Sequence, residues 1–289
     1  SEVYNMKVMV TGSNGMLGTD LCEILRGYGY DVIPVTQNDF DITDLEYTVE
    51  VIKQYHPQIV IHPAAYTNVD ACEENIDLAY QINSIGARNV ALACKEIDAV
   101  MVYISTDYVF DGTSSTPYKE LDVASPQSIY GKSKLAGENY VRDILSKYYI
   151  VRTAWLYGKN GKNFVTTMID LASKMPQLKV VNDQNGCPTY TKDLSEAIAQ
   201  LIKKPAYGVY HLSNSEPTTW YGFTQEIFTQ CGIGTPVVPC TTDEFPRPAK
   251  RPAYSVLDNC SWRLEGFMPL RPWQEALTDY LKEIGKVNE

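Results

Sequence analysis

Short apolar, β-branched runs recur through the first half of the chain: KVMVT at 7–11, DVIPV at 31–35, IVIH at 59–62, VMVYIS at 100–105 and YIVRT at 149–153. Each reads as a strand, and their near-continuous apolarity predicts burial on both faces. Between them the apolar positions switch to helical spacing. In 15–28, Leu17, Leu21, Ile24 and Leu25 share one face. In 43–55, Leu45, Val49 and Ile52 do so behind a Thr43-Asp44 cap. In 78–97, Leu78, Ile82, Ile85 and an Ala-rich tail repeat the pattern. Strands alternating with helices predict an α/β fold, a doubly wound parallel sheet covered on both sides.

Beyond about residue 155 the pattern loosens and prolines become frequent. One further helix (191–204) and one buried strand (208–212) read as a return to the main sheet. The stretch 214–289 carries shorter elements and ends in a helix at 272–285. The expected division is therefore a dinucleotide-binding unit of residues 1–155 plus about 190–213. A smaller, interleaved substrate-binding unit takes about 156–189 plus 214–289.

The 289 residues are 44% hydrophobic and 21% charged, as in ordinary globular proteins. A net charge of −10 argues against a nucleic-acid or anionic-membrane partner, which needs a basic surface. It leaves room for a small anionic ligand in a local basic pocket. No apolar run approaches a membrane span. The opening SEVYNMKVMV has no signal-peptide pattern. None of the seven cysteines forms C-x-x-C, so reduced thiols and a cytoplasmic location are expected. His56, His62 and His211 lack metal-ligand spacing, and no metal is expected in the chemistry.

The first strand runs directly into TGSNGMLG, placing Gly12, Gly15 and Gly18 ahead of an amphipathic helix. Such a turn permits a tight bend, a close backbone approach to a pyrophosphate and close helix–strand packing. The helix N-terminus adds free donors and a positive dipole end. That predicts a Rossmann-type dinucleotide site. At the tip of the second strand stand uncharged Gln37 and Asn38, with Asp41 and Ile42 placed to line an adenine pocket. An acid there favours NAD and a base NADP. The tip therefore leaves NADH and NADPH both open, with a lean toward NADH or dual use.

Tyr130 and Lys134, in SIYGKSKLAGENY, stand four apart. In a chain with 21 Tyr that spacing alone arises by chance, so position must decide. The fourth strand ends at Ile104-Ser105-Thr106-Asp107, and ligands of open α/β sheets bind at strand carboxyl ends. Residues i and i+4 share a helix face, so Tyr130 and Lys134 can face the crevice that Thr106 enters. A free phenol, with a pKa near 10, is a poor acid at neutral pH. An adjacent ammonium is expected to lower it.

With these residues the chain resembles an extended short-chain dehydrogenase/reductase, in which Thr, Tyr and Lys carry the proton chemistry of hydride transfer. AAYTNVDACE (64–73), STDYVFDG (105–112), YGKSKLAGE (130–138), RTAWLYG (152–158), NDQNGCPTYTKDL (182–194) and RPAYSVLDN (251–259) narrow this. Together they resemble the dTDP-4-dehydrorhamnose reductases over nearly the whole chain. The resemblance implies reduction of dTDP-4-dehydro-β-L-rhamnose at C4, in supply of cell-surface polysaccharide. It implies that Gly12, Ser13, Asn14, Gly15, Met16 and Leu17 hold the phosphates. Ala64, Ala65 and Tyr66, followed by Thr67, form a wall at the cofactor ribose, with Ser105 beside the cofactor. Thr106, Asp107 and Trp155 contact the sugar, Tyr130 gives the proton, and Lys134 reaches the nicotinamide ribose. Arg247 or Arg251, in FPRPAKRPAY, is expected to pair with the nucleotide diphosphate. The sequence leaves a homodimer open. Two other functions also stay open: an NDP-sugar epimerase or dehydratase of the same superfamily, and a non-catalytic subunit like the methionine adenosyltransferase β subunit.

Overall fold

Six parallel strands build the central sheet of the computed structural model, which describes residues 6–287. They are β1 (Lys7–Val10), β2 (Asp31–Pro34), β3 (Ile59–His62), β4 (Val100–Thr106), β5 (Tyr148–Thr153) and β6 (Gly208–His211). Their spatial order is β6-β5-β4-β3-β1-β2. The strand order reverses between β1 and β3, which makes that gap the topological switch point where such sheets bind ligands. The expected return of 208–212 to the main sheet is found, with Tyr210 in register with Val151.

Alternation along each strand sends side chains to two cores. Val8, Val10, Ile61, Val102 and Val151 pack under helices Met16–Gly27 and Thr191–Leu201. Met9, Val60, Met101, Tyr103 and Ile150 pack under Leu45–Tyr55, Gly86–Glu96 and Ile129–Ile144. A third core gathers Tyr157, Val165, Val180, Phe223, Trp273 and Tyr280. It is built partly on a parallel pair, Val237–Cys240 with Leu178–Val181.

The sequence pattern predicts one helix over 78–97. The structure has Ile76–Tyr80 and Gly86–Glu96 joined by a π-type turn, Gln81–Ile85. The wider turn presents buried Asn83 toward the neighbouring helix. A further short helix, Val69–Glu74, is capped by the side chain of Asn68. Six residues are too few to show a helical period. The Asp44 cap is as expected, accepting from the Tyr47 N–H at 3.0 Å.

Candidate active site

The carboxyl ends of β1, β3 and β4 open into a cleft of about 1090 Å³. The glycine turn forms one end. Gly12 sits in the left-handed region at φ 53°, and a Cβ at Gly18 would lie 2.1 Å from the Gly12 carbonyl oxygen. Only glycine fits both demands. Gly15 caps the following helix with no side chain, so the N–H groups of its first turn stay free for an anion. This cradle suits a dinucleotide pyrophosphate.

A second wall follows β3. Asn83 accepts from the Tyr66 N–H at 2.8 Å and donates to the Tyr66 carbonyl at 3.1 Å. It also donates to Ser133 Oγ at 3.1 Å, tying this wall to the helix that carries Lys134. At the end of β3, His62 Nδ1 lies 2.7 Å from the Thr11 hydroxyl, and burial holds the imidazole pKa down at about 3. A neutral His62 therefore braces the residue just before Gly12.

The Ile129–Ile144 helix starts at Ser128, whose hydroxyl accepts from the Gly131 N–H at 3.1 Å. Tyr130 and Lys134 both face the cleft, together with Thr106 and Asp107. Burial pushes the Tyr130 phenol above its ordinary value, while the nearby Thr106 hydroxyl pulls it back part of the way. The expected lowering of this phenol by Lys134 is not realised in this geometry. Lys134 Nζ donates to the Ile104 carbonyl at 2.6 Å and lies 4.4 Å above the Tyr103 ring. Burial lowers its own pKa to about 7, against an upward pull from Glu138.

Asp107 accepts from the Thr106 hydroxyl at 3.1 Å, and its Oδ2 has no partner among the described residues. Burial pushes it up to about 6. Ser105 also borders the cleft, but its hydroxyl donates to Glu138 at 2.6 Å and is spent there. Trp155 holds a strained left-handed backbone, φ 49°, and stacks on Trp220 at 3.6 Å between ring centroids. Arg251 lines the cleft but makes a two-pronged ion pair with Asp70, where the sequence predicts a diphosphate partner. Arg247 is more exposed, its Nη1 3.8 Å from the same carboxylate.

The cleft thus brings together Gly12, Gly15, Met16, Leu17, Gly18, Ala65, Thr67, Thr106, Asp107, Tyr130, Lys134, Trp155, Arg247 and Arg251. Ser13, Asn14, Ala64 and Tyr66 belong to its two backbone turns without lining it. Gln37 and Asp41 are exposed beyond it, and Asp41 is engaged with the Thr43 N–H and hydroxyl. Ile42 packs toward Gly86. Sequence reasoning missed Asn83, Asp70, Glu138 and Trp220. Asp70 and Glu138 stand inside motifs already noted, where an acid gives no sign of its partner.

The family model described as the RmlD substrate binding domain matches residues 6–286. A dTDP-4-dehydrorhamnose reductase from Clostridium acetobutylicum is 48% identical. It superposes with a TM-score of 0.95, covering 97% of this chain and 100% of its own. The chain belongs to the dTDP-4-dehydrorhamnose reductase family. The family's enzyme from Bacillus anthracis, solved in complex with NADP, is 45% identical with a TM-score of 0.94, over 96% of this chain and 99% of that one. Spore coat polysaccharide biosynthesis protein SpsK of Bacillus subtilis is 46% identical over 277 residues, 96% of this chain and 97% of that protein.

Proposed function

We propose that the protein reduces dTDP-4-dehydro-β-L-rhamnose at C4 to dTDP-L-rhamnose, using NADH or NADPH. The observation that carries this reading is that Thr106, Tyr130 and Lys134 line the same cleft as the glycine turn. The solved complex of the Bacillus anthracis relative with NADP supports the choice of cofactor class.

The bound nicotinamide supplies the hydride. The Gly12–Gly18 turn, with Ser13 and Asn14, holds the pyrophosphate through backbone donors. Ala64, Ala65 and Tyr66 flank the ribose, and Asn83 keeps that wall in place. Gln37, Asp41 and Ile42 face the adenosine end. Tyr130 gives its phenolic proton to the oxygen that becomes the C4 hydroxyl, and Thr106, its hydroxyl turning from Asp107, orients that oxygen by donating a hydrogen bond. A phenol with a raised pKa begins protonated, as a donor must. Lys134, one turn away, is the cation available to the phenolate left behind. Asp107 and Trp155 contact the sugar, and Arg247 or Arg251 takes the diphosphate. The aromatic wall at Trp155 and Trp220 adjoins the third core, and residues about 156–189 and 214–289 form the substrate-binding unit.

The test is oxidation of NADH and NADPH with dTDP-4-dehydrorhamnose freshly made from dTDP-glucose. Turnover with either coenzyme is the expected result. Dinucleotide binding without turnover would instead favour the non-catalytic subunit.

A further inference from the structure

We propose that Glu138 is a positioning residue: the buried carboxylate, one helical turn beyond Lys134, that fixes Ser105 next to Ile104, whose carbonyl holds Lys134 Nζ, and that favours the ammonium form of Lys134. This rests on the reductase reading above. Glu138 is fully buried. It accepts from Ser105 Oγ at 2.6 Å, from Arg152 Nε at 3.0 Å and from Arg152 Nη2 at 2.7 Å. A half-exposed Arg142 adds a contact at 3.3 Å.

One carboxylate therefore fastens the active-site helix to β4, at the residue before Thr106, and to β5. A buried ion pair alone is weak support for stability, since apolar residues of similar volume serve a core as well. The placement gives the pair another use. An ammonium taken out of water tends to lose its proton unless an anion stands near.

The groups around Lys134 leave Glu138 in that role. From β4, the Tyr103 ring lies under Nζ, its phenol pushed well up by burial and by Glu138. From β3, His62 is held neutral. From its own helix, Tyr130 is a protonated phenol. Around Glu138, Arg152 comes from β5, and its Nη1 lies 3.3 Å from His211 Nε2 of β6. Burial and Arg152 keep His211 neutral. Asp107 at the end of β4 faces Tyr130 and is itself pushed toward its protonated form.

The experiment is NMR titration of Lys134 Nζ in dinucleotide-free protein, wild type against Glu138→Gln, beside pH profiles of kcat/KM. The titration needs no substrate. In Glu138→Gln the midpoint should fall by about one pH unit, the lower end of what a neighbouring opposite charge contributes. The alkaline limb of kcat/KM should move down with it, while Glu138→Asp, which keeps the charge, holds the limb near its wild-type place. Glu138→Gln leaves Arg152 buried alone and risks misfolding. The double variant Glu138→Gln/Arg152→Met removes both charges and should still show a downward movement, a smaller one because the Arg152 cation is lost as well. An unchanged Lys134 midpoint in either folded variant overturns the proposal. So does failure of both to fold, which makes the cluster a folding element only. A lowered midpoint in a protein with no keto-sugar turnover upholds the electrostatic role of Glu138 and removes the reductase reading instead.

Discussion

The Lys134 ammonium donates to the Ile104 carbonyl at 2.6 Å and not to the phenol of Tyr130, one turn earlier on the same helix. In the proposed reaction the two residues serve different stages. Tyr130 starts as a neutral acid whose phenol pKa burial pushes up. The cation would matter after that proton has left.

Tyr130→Phe keeps the ring and removes the proton. General acid catalysis contributes typically 10²–10⁴-fold, and kcat should fall within about that range. Dinucleotide binding should persist, read as fluorescence enhancement or thermal stabilisation. Wild-type turnover in this variant would place the proton donor elsewhere.

Asp107 predicts a stability effect with a definite sign. Its folded pKa, about 6, lies above the ordinary value of 3.8, so the fold favours the protonated acid. Stability is lost as pH rises through that window, because ionisation is then harder in the folded protein. Asp107→Asn never ionises. It should stabilise the protein above pH 6 by at most roughly 3 kcal/mol, at about 1.4 kcal/mol for each pH unit between those two values, and by little below pH 4. Thermal melts at both pH values check this. Sugar turnover should drop in the same variant, a trade of stability against function.

Arg251→Ala should raise the KM for the nucleotide sugar by one to two decades, since hydrogen bonds to charged groups contribute about 1.5–3 kcal/mol. The dinucleotide Kd should stay fixed. Arg247→Ala should do less, because its side chain is 61% exposed. Unchanged KM in both variants would make the segment an ordinary solvated loop.

Coenzyme choice should be loose. Gln37 and Asn38 are exposed and uncharged, and the nearby Asp39 carboxylate is taken by the Thr36 N–H at 2.7 Å. NADH and NADPH should both support turnover, and Gln37→Arg should move preference toward NADPH by pairing a guanidinium with the 2′-phosphate. A strict wild-type preference for NADPH would reveal a phosphate clamp away from this tip.

The sheet was legible because its strands are buried on both faces, so their apolarity is unbroken. Thr106, Tyr130 and Lys134 were legible as a group because strand ends and a four-residue helical spacing point to one crevice. Their electrostatics were not. Whether Lys134 meets a phenol or a carbonyl depends on how β4 and the helix lie together, which local spacing does not encode. Asp70 and Arg251 stand 181 positions apart, and no periodicity links them. The π-type turn at Asn83 hid inside a stretch whose apolar positions still read as helix.

The Trp155–Trp220 stack makes the cleft its own optical instrument. Two indoles with centroids 3.6 Å apart and planes 11° from parallel couple as a single chromophore. They line the same cavity as the glycine turn, and a reduced nicotinamide bound there would absorb at the wavelengths indoles emit. Entry of a sugar against Trp155 should therefore change the near-ultraviolet circular dichroism couplet, and coenzyme binding should quench the emission by energy transfer. The two halves of the ligand set can be followed separately in one unlabelled cuvette.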